Sequence, residues 1–213
     1  MRRFTVIDVP QRSPEWFAAR CGRLTASVAG DMLATIKSGE AAARRDLKAR
    51  LLVERLTGQP QETDFTSKDM DRGTALEPEA RFAYEATGAM VTQVGFLSHT
   101  ELMAGASPDG VIGDYEGIVE IKVPKSSTHL KYIKGKALPS EYLGQVTHLL
   151  WLTGAQYCDF VSWDPRFPPH LQLFVVRVPR DEKAMATYEL AVTMFLRELD
   201  ADIESLMQTL AVA

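Results

Sequence analysis

The sequence predicts a mixed α/β fold with a β-sheet sandwiched between helices. Apolar residues recur at helical spacing up to Gly88, and short β-branched runs separated by turn residues fill the middle of the chain. A last segment then carries apolar residues at steps of three and four from Met185 to Leu210. Helices, a central sheet, one more helix, two strands and a final helix are an α/β order.

Taken in order, Ser13-Pro14-Glu15 places an N-cap, a first-turn proline and an acid ahead of a helix through Trp16 and Arg20, stopped by Gly22. Thr25-Ala26-Ser27 opens a second helical stretch over Val28 to Leu33. A longer helix covers Glu40 to Thr57, with Leu47, Leu51, Leu52 and Leu56 on one face. Thr63 to Arg72 is polar and reads as a loop, and helix resumes over Leu76 to Thr87. Strands are expected at Met90 to Leu97, Leu102 to Ala106, Asp109 to Ile112 and Ile118 to Val123, the last two forming a hairpin around Gly113, Asp114 and Gly117. A helix from Ser140 to Thr153, strands at Cys158 to Trp163 and Leu171 to Val178, and a helix beginning at Asp181-Glu182 complete the chain.

Composition narrows the function classes. The chain has 213 residues, 46% hydrophobic and 24% charged, with no repeat, low-complexity tract or Gly/Ser/Pro linker, so one domain over 1–213 is expected. The net charge of −4 argues against coating nucleic acid by bulk positive charge, but not against a local basic groove. Cys21 and Cys158 fit neither a disulfide framework nor a metal spacing, and a reduced, cytoplasmic setting is expected. Asp8 interrupts any signal-peptide core, and no apolar run is long enough to span a membrane.

The stretch richest in chemistry is Ser107-Pro108-Asp109-Gly110, followed by Glu120-Ile121-Lys122. On a strand Glu120 and Lys122 share one face, while Val119, Ile121 and Val123 share the other. An Asp109 at the mouth of the preceding strand reaches Glu120, and two converging carboxylates call for a hard cation, Mg²⁺ or Mn²⁺. The adjacent lysine orients water or offsets phosphoryl charge. Taken alone, Glu-x-Lys is more often a solvated face and Pro-Asp-Gly a simple turn. The otherwise apolar strand favours the catalytic reading. Gln145 interrupts the apolar stripe Tyr142, Leu149, Leu152; it either satisfies local backbone or reaches a site over the sheet. Glu77 either pairs with Arg81 four residues on or adds a carboxylate to the metal site.

Asp109, Glu120 and Lys122 resemble the PD-(D/E)xK nuclease signature, and the ordered set of motifs resembles the phage lambda exonuclease / YqaJ-type viral recombinase family. The matching blocks are Trp16-x-x-x-Arg20-x-Gly22-x-x-Thr25-Ala26-Ser27, Gly73-Thr74-x-x-Glu77-x-x-Ala80-Arg81, Ser107-Pro108-Asp109-Gly110, Glu120-Ile121-Lys122 and Gln145-Val146. Trp163-Asp164-Pro165-Arg166 and Arg180-Asp181-Glu182-Lys183 fit as well. The resemblance implies a restriction-endonuclease-like core with a long C-terminal helix. It also implies a metal-dependent, processive 5′→3′ exonuclease on linear double-stranded DNA. That enzyme releases 5′-mononucleotides and leaves a 3′ strand for a single-strand annealing protein in phage recombination.

Carried over by position, Asp109, Glu120 and the Ile121 carbonyl would bind one or two Mg²⁺, with Glu77 at the second position or its water shell. Lys122 and Gln145 would position the water. Arg20, Ser27 and Ser107 would hold the DNA 5′-phosphate, and Ser27, at a helix start, adds the pull of a helix N-terminus on an anion. Met70 would be the apolar wedge at the terminal base pairs, or else an ordinary loop methionine. A homotrimeric ring in the host-cell cytoplasm is implied too. Lambda exonuclease has a DNA-contacting arginine downstream of its lysine, where this chain reads Lys125-Ser126-Ser127-Thr128. The rival readings are a PD-(D/E)xK endonuclease and a non-catalytic DNA-end-binding module.

Overall fold

The computed structural model describes residues 2–61 and 68–211, and the side chains of residues 68, 70 and 209–211 also lie outside that description. Two compact units interleave along the sequence. The first comprises 1–62, 95–107 and 181–213, the second 63–94 and 108–180.

In the first unit four strands, β1 (Phe4–Ile7), β2 (Leu24–Thr25), β3 (Phe96–His99) and β4 (Ala104–Ala106), form a sheet in the order β1-β3-β4-β2. Helix α1 (Pro14–Arg20) starts as its sequence dictates: Ser13 Oγ accepts from Trp16 N at 3.2 Å, and Pro14 occupies the first turn. The stretch after Thr25 is a 3₁₀ turn, Ala26–Val28, followed by the four-residue α2 (Ala29–Met32). Helix α3 (Ala42–Thr57) ends at Gly58 in the left-handed region (φ 66°). Helix α8 (Glu182–Ala211) is capped by Asp181, whose Oδ1 accepts from Lys183 N and Ala184 N. Its apolar stripe is buried from Met185 through Leu199, but Ile203 is only partly covered and Leu206 is exposed. Arg44–Glu198, Lys48–Asp202 and Arg55–Asp200 tie α3 to α8.

The second unit is built on β5 (Gly110–Ile112), β6 (Gly117–Lys122), β7 (Tyr157–Trp163) and β8 (Leu173–Pro179), in that spatial order. The β5–β6 and β7–β8 pairs are antiparallel, and β6–β7 is parallel. Its crossover contains α5 (Ser126–Gly135) and α6 (Leu143–Thr153), the latter led by a 3₁₀ turn over Ser140–Tyr142. Helix α4 (Lys68–Glu85) covers one face, where Ala80 and Tyr84 pack on Val119, Ile121, Val161 and Trp163. The alternate residues Ile118, Glu120, Phe160 and Ser162 face α5 and α6 and are equally buried. Covered on both faces, β6 and β7 are buried almost throughout, as parallel strands are. A four-residue helix, α7 (Pro169–Gln172), precedes β8.

The mixed sheets, flanking helices and long terminal helix match the expected class, with the strands divided between two sheets. Three local expectations are corrected. The stretch read as a loop is helical from Lys68: Asp69 and Asp71 favour its N-terminus, and Arg72 Nη2 donates to Val123 O and Pro124 O at 3.1 and 2.6 Å. The continuous strand expected over Met90–Leu97 is broken. Thr92 bridges to Val111 in one unit, and only from Phe96 does the chain pair with β1 in the other. At the break, a side chain on Gly95 would collide with Ile7 O. Helix α5 appears where no helix is expected, fastened by His129 Nδ1 to Ser162 Oγ at 2.7 Å and by Ser126 Oγ to Asp164 Oδ2 at 2.7 Å.

Burial would raise the Asp164 carboxyl, but hydrogen bonds from Arg166 and Ser126 win and lower it from 3.8 to about 2. With the folded value depressed, this stabilisation is present above about pH 4 and lost as pH falls toward 2, amounting to about 2 kcal/mol. Acid unfolding followed by circular dichroism should therefore show Ser126→Ala less stable than the parent at neutral pH by about 1 kcal/mol. The difference should shrink below about pH 3.

Candidate active site

The β5–β6 register, Gly110 opposite Val119, sets Asp109 beside Glu120. Asp109 Oδ2 accepts from Ile121 N at 2.6 Å, so its carboxylate is pinned along the edge of β6. The next residue, Gly110, lies against Val91, where an added Cβ would meet Val91 Cγ1 at 2.1 Å. Glu120 is 1% exposed. Its Oε1 accepts from Lys122 Nζ and from Gln145 Nε2, the latter at 2.5 Å. Its Oε2 is buried with no hydrogen-bond partner among the described residues. The Tyr142 ring, one turn before Gln145, lies 5.2 Å from Lys122 Nζ and leans on Phe160.

Burial is the largest cause of a raised Asp109 pKa. The Glu120 and Glu77 charges add to it, against the relief given by Lys122 and the Ile121 N–H. Burial disfavours the Lys122 ammonium, yet Glu120 and Asp109 outweigh it and hold the lysine above its usual range. Lys122 is therefore a cation and a hydrogen-bond donor at neutral pH.

The other buried acids of this sheet make the contrast. Asp159 accepts from Arg177 Nε and Nη2 at 2.9 and 2.8 Å and from Tyr84 Oη at 2.5 Å. Asp164 has Arg166 on both oxygens, together with Ser126. Of these buried carboxylates only Glu120 has an unmet oxygen, and it faces a second acid held by backbone. A stranded anion beside a like charge is costly. A divalent cation removes both penalties, so Asp109 and Glu120 fit one, with the adjacent Ile121 carbonyl as a further oxygen donor. Among the described residues, no three His, Cys, Asp or Glu side chains converge as a ready-made metal cluster. Glu77 is bound through Oε1 to Arg81 Nη2 at 3.2 Å, but its charge is felt at Asp109. The pairing with Arg81 is thus present, and Glu77 is also near enough to Asp109 for its charge to raise that carboxyl.

The residues expected at a phosphate lie in the first unit. Parallel pairing of Thr25 with Gly105 sends both chains the same way, toward Ser27 and Ser107. Trp16 Nε1 donates to Ser107 Oγ at 2.7 Å, and the Arg20 guanidinium lies 3.9 Å over the Trp16 ring. Trp16 thereby organises two of the three expected ligands. Ser27 Oγ contacts Thr25 Oγ1 at 3.3 Å within the 3₁₀ turn. The four-residue α2 that follows is too short to supply the expected helix-terminal attraction, so an anion there would depend on Arg20 and the hydroxyls. Met70 lies on α4, and its side chain is outside the described residues. Tyr142 was legible only as part of an apolar stripe, though its three-residue spacing from Gln145 is the signal that places both over the site.

An Asp and a Glu-x-Lys strand in this arrangement, on helix-flanked mixed sheets, define the PD-(D/E)xK class of nuclease domain. Within that class the chain belongs to the YqaJ-like viral recombinase domain family, which it matches over residues 15–156. It is similar to the alkaline exonuclease LHK-Exo from Laribacter hongkongensis, at 43% identity and a TM-score of 0.83, over 93% of this chain and 98% of that one. The same relative in complex with dAMP aligns at 42% identity and 0.85, with the same coverage. A phage-related exonuclease from Haemophilus somnus 129PT shares the fold at 15% identity and 0.69, over 86% of this chain and 96% of that chain. The Escherichia coli (strain K12) protein ExoD is 32% identical over 65 residues, 30% of this chain and 74% of that protein.

The acid pair carries a stability prediction. A carboxyl with a raised folded-state pKa destabilises the fold increasingly as pH rises above its unfolded value of 3.8. In metal-free buffer at pH 8, Asp109→Asn should melt higher than the parent by about 1 kcal/mol equivalent, a gain that fades toward pH 4. Differential scanning calorimetry with chelator checks this, and a destabilised variant would count against the repulsion.

Proposed function

We propose that this protein is a Mg²⁺-dependent, processive 5′→3′ exonuclease acting on the ends of linear double-stranded DNA. It releases 5′-mononucleotides and leaves a 3′ single strand for an annealing-type recombination partner. The observation that carries the reading is the unpartnered Glu120 Oε2 beside Asp109, with Lys122 and Gln145 fixed around it. Similarity along nearly the whole chain to an alkaline exonuclease supports it. So does the dAMP bound by that relative, a mononucleotide of the kind such digestion releases.

Asp109, Glu120 and the Ile121 carbonyl would hold the cation, with Glu77 at a second metal or its water shell. Mn²⁺ is a chemically reasonable substitute. A metal held by these groups would supply Lewis-acid activation of a water and charge stabilisation for the departing 3′ oxygen. The protein's own contribution is positioning. The Lys122 ammonium is drawn to Glu120 Oε1, which leaves it donors for a water or a non-bridging phosphate oxygen. Gln145 locks the remaining freedom of Glu120 Oε1, so the empty oxygen keeps one direction. Arg20, Ser27 and Ser107 would receive the terminal 5′-phosphate through a planar guanidinium braced on Trp16 and two hydroxyls. Met70 would separate the terminal base pairs. The homotrimeric ring, the annealing partner and the host cytoplasm follow from the resemblance to lambda exonuclease. No helix among the described residues is long and apolar enough to cross a membrane.

End-labelled linear duplex tests this. Mononucleotide should leave from the 5′ end only with Mg²⁺, and a closed circular duplex should stay intact. Asp109→Ala and Lys122→Ala should each lower digestion by on the order of a thousandfold while the far-ultraviolet spectrum stays that of the parent. Nicking of the closed circle would make the protein an endonuclease. Mg²⁺-independent end binding without hydrolysis would make it a binding module. A separate comparison of 5′-phosphate with 5′-hydroxyl ends should show faster initiation on phosphate, a preference that Arg20→Ala abolishes.

A further inference from the structure

Residues 20–24 form a tight turn laid on α3. Gly22 has φ 70°, and its missing Cβ leaves room for the Arg55 stem, which would otherwise lie 2.7 Å away at Cγ. Gly22 N donates to Glu54 Oε2 at 2.7 Å, and Arg55 Nε donates to Gly22 O at 2.8 Å. The turn is thereby fixed on α3, and the next residue, Arg23, falls near enough to Arg55 for the two charges to repel.

The charges in this corner do not balance. Glu54 is committed through both oxygens, to Gly22 N and Gln61 N, and Arg50 stands 4.0 Å from it. Asp200 is taken by Arg55 Nη1 at 2.7 Å. Both of these acids are thus engaged, and among the described residues Arg23 has no acid partner. The Arg55 side chain is only 8% exposed, and its Nη2 is buried without an acceptor. A buried guanidinium donor left open, beside a second half-buried and uncommitted cation, is the complement of an oxyanion.

We infer that Arg23 and Arg55 form an anion site that takes a backbone phosphodiester of the DNA substrate, built from residues other than those assigned to the terminal phosphate. The inference rests on the DNA-exonuclease reading above. Arg23 is the group able to shift and admit the phosphate, because among the described residues no hydrogen bond or ion pair holds its side chain. Arg55 is the fixed donor, anchored by Gly22 and Asp200. Phosphodiesters are the ligand of choice because a guanidinium fork matches two non-bridging oxygens and because a polyanion releases counterions on contact. The site also shows how a chain of net charge −4 keeps a positive centre: local pairing consumes the acids and leaves one arginine over.

The test is duplex binding by fluorescence anisotropy in chelator across a salt series, with the parent, Arg23→Gln and Arg23→Lys. Arg23→Gln should weaken binding about tenfold at low salt and reduce the slope of log K against log salt by about 0.9, one phosphate contact. Arg23→Lys should keep most of the slope. The 5′-phosphate over 5′-hydroxyl preference should stay at the parent ratio, since Arg20, Ser27 and Ser107 are intact. An unchanged slope and affinity in Arg23→Gln would overturn the site. Inorganic phosphate that stabilises the parent but not Arg23→Gln, with duplex slopes equal, would assign a free anion and overturn the DNA ligand. A parent that binds no duplex would remove the exonuclease reading itself. Arg55→Met should melt somewhat lower than the parent, since it loses the bonds to Gly22 O and Asp200, and should lose any stabilisation by inorganic phosphate. A large loss there, together with an unchanged Arg23→Gln slope, marks a purely structural corner.

Discussion

The arrangement depends on one half-satisfied carboxylate. Glu120 sits where β6 is covered on both faces, in a strand that otherwise reads Gly-Ile-Val-x-Ile and needs no charge to fold. One oxygen is held by Lys122 and Gln145, and the other has nothing. A fold could remove that penalty by protonation or by a second donor, as Asp159 and Asp164 show in the same sheet. Instead the hairpin brings Asp109 alongside and pins it through the Ile121 N–H, which adds repulsion. Both penalties have the same remedy, a cation. The surrounding helices make sense as supports for that geometry: α6 delivers Gln145 and its leading turn delivers Tyr142. On the opposite face α4 brings Glu77 and, through Arg72, grips the carbonyls just beyond Lys122.

Much of this was legible in the sequence because the signals are local. Alternation along Ile118–Val123 puts Glu120 and Lys122 on one face, and the glycines around 113–117 set the hairpin that returns Asp109 to them. Gln145 stood out as a polar break in an apolar stripe, and the structure places it on Glu120. What stayed hidden depends on contacts distant in sequence. Ser126-Ser127-Thr128 has the composition of a turn, and α5 forms there because Asp164 and Ser162, some forty positions on, hold its first turns. The polar start of α4 was hidden for the same reason, its anchor being the far side of β6. The apolar run at Met90–Leu97 has one period but two pairing partners, which periodicity alone does not distinguish. Trp16 was quoted only as part of a motif, and its bond to Ser107 bridges ninety residues of sequence.

Charge shows the difference between counting and placing. An acidic total describes the average surface, yet Arg44, Arg55 and Arg177 each spend themselves on a named acid, whereas Arg23 does not. Likewise Asp109 and Glu120 belong to the acidic total, although a divalent ion would cancel them. Nucleic-acid chemistry in such a protein resides in a few uncompensated positions and not in its isoelectric point.

As proposed, Glu120 Oε2 and Asp109 are the protein ligands of a divalent ion. Anomalous diffraction from crystals soaked in Mn²⁺ locates that ion directly. A peak is expected about 2.0–2.3 Å from Glu120 Oε2 and an Asp109 oxygen, with the Ile121 carbonyl completing the protein side, and it should be lost in Glu120→Gln. A fully occupied peak held by other residues, or density that persists unchanged in Glu120→Gln, would contradict it.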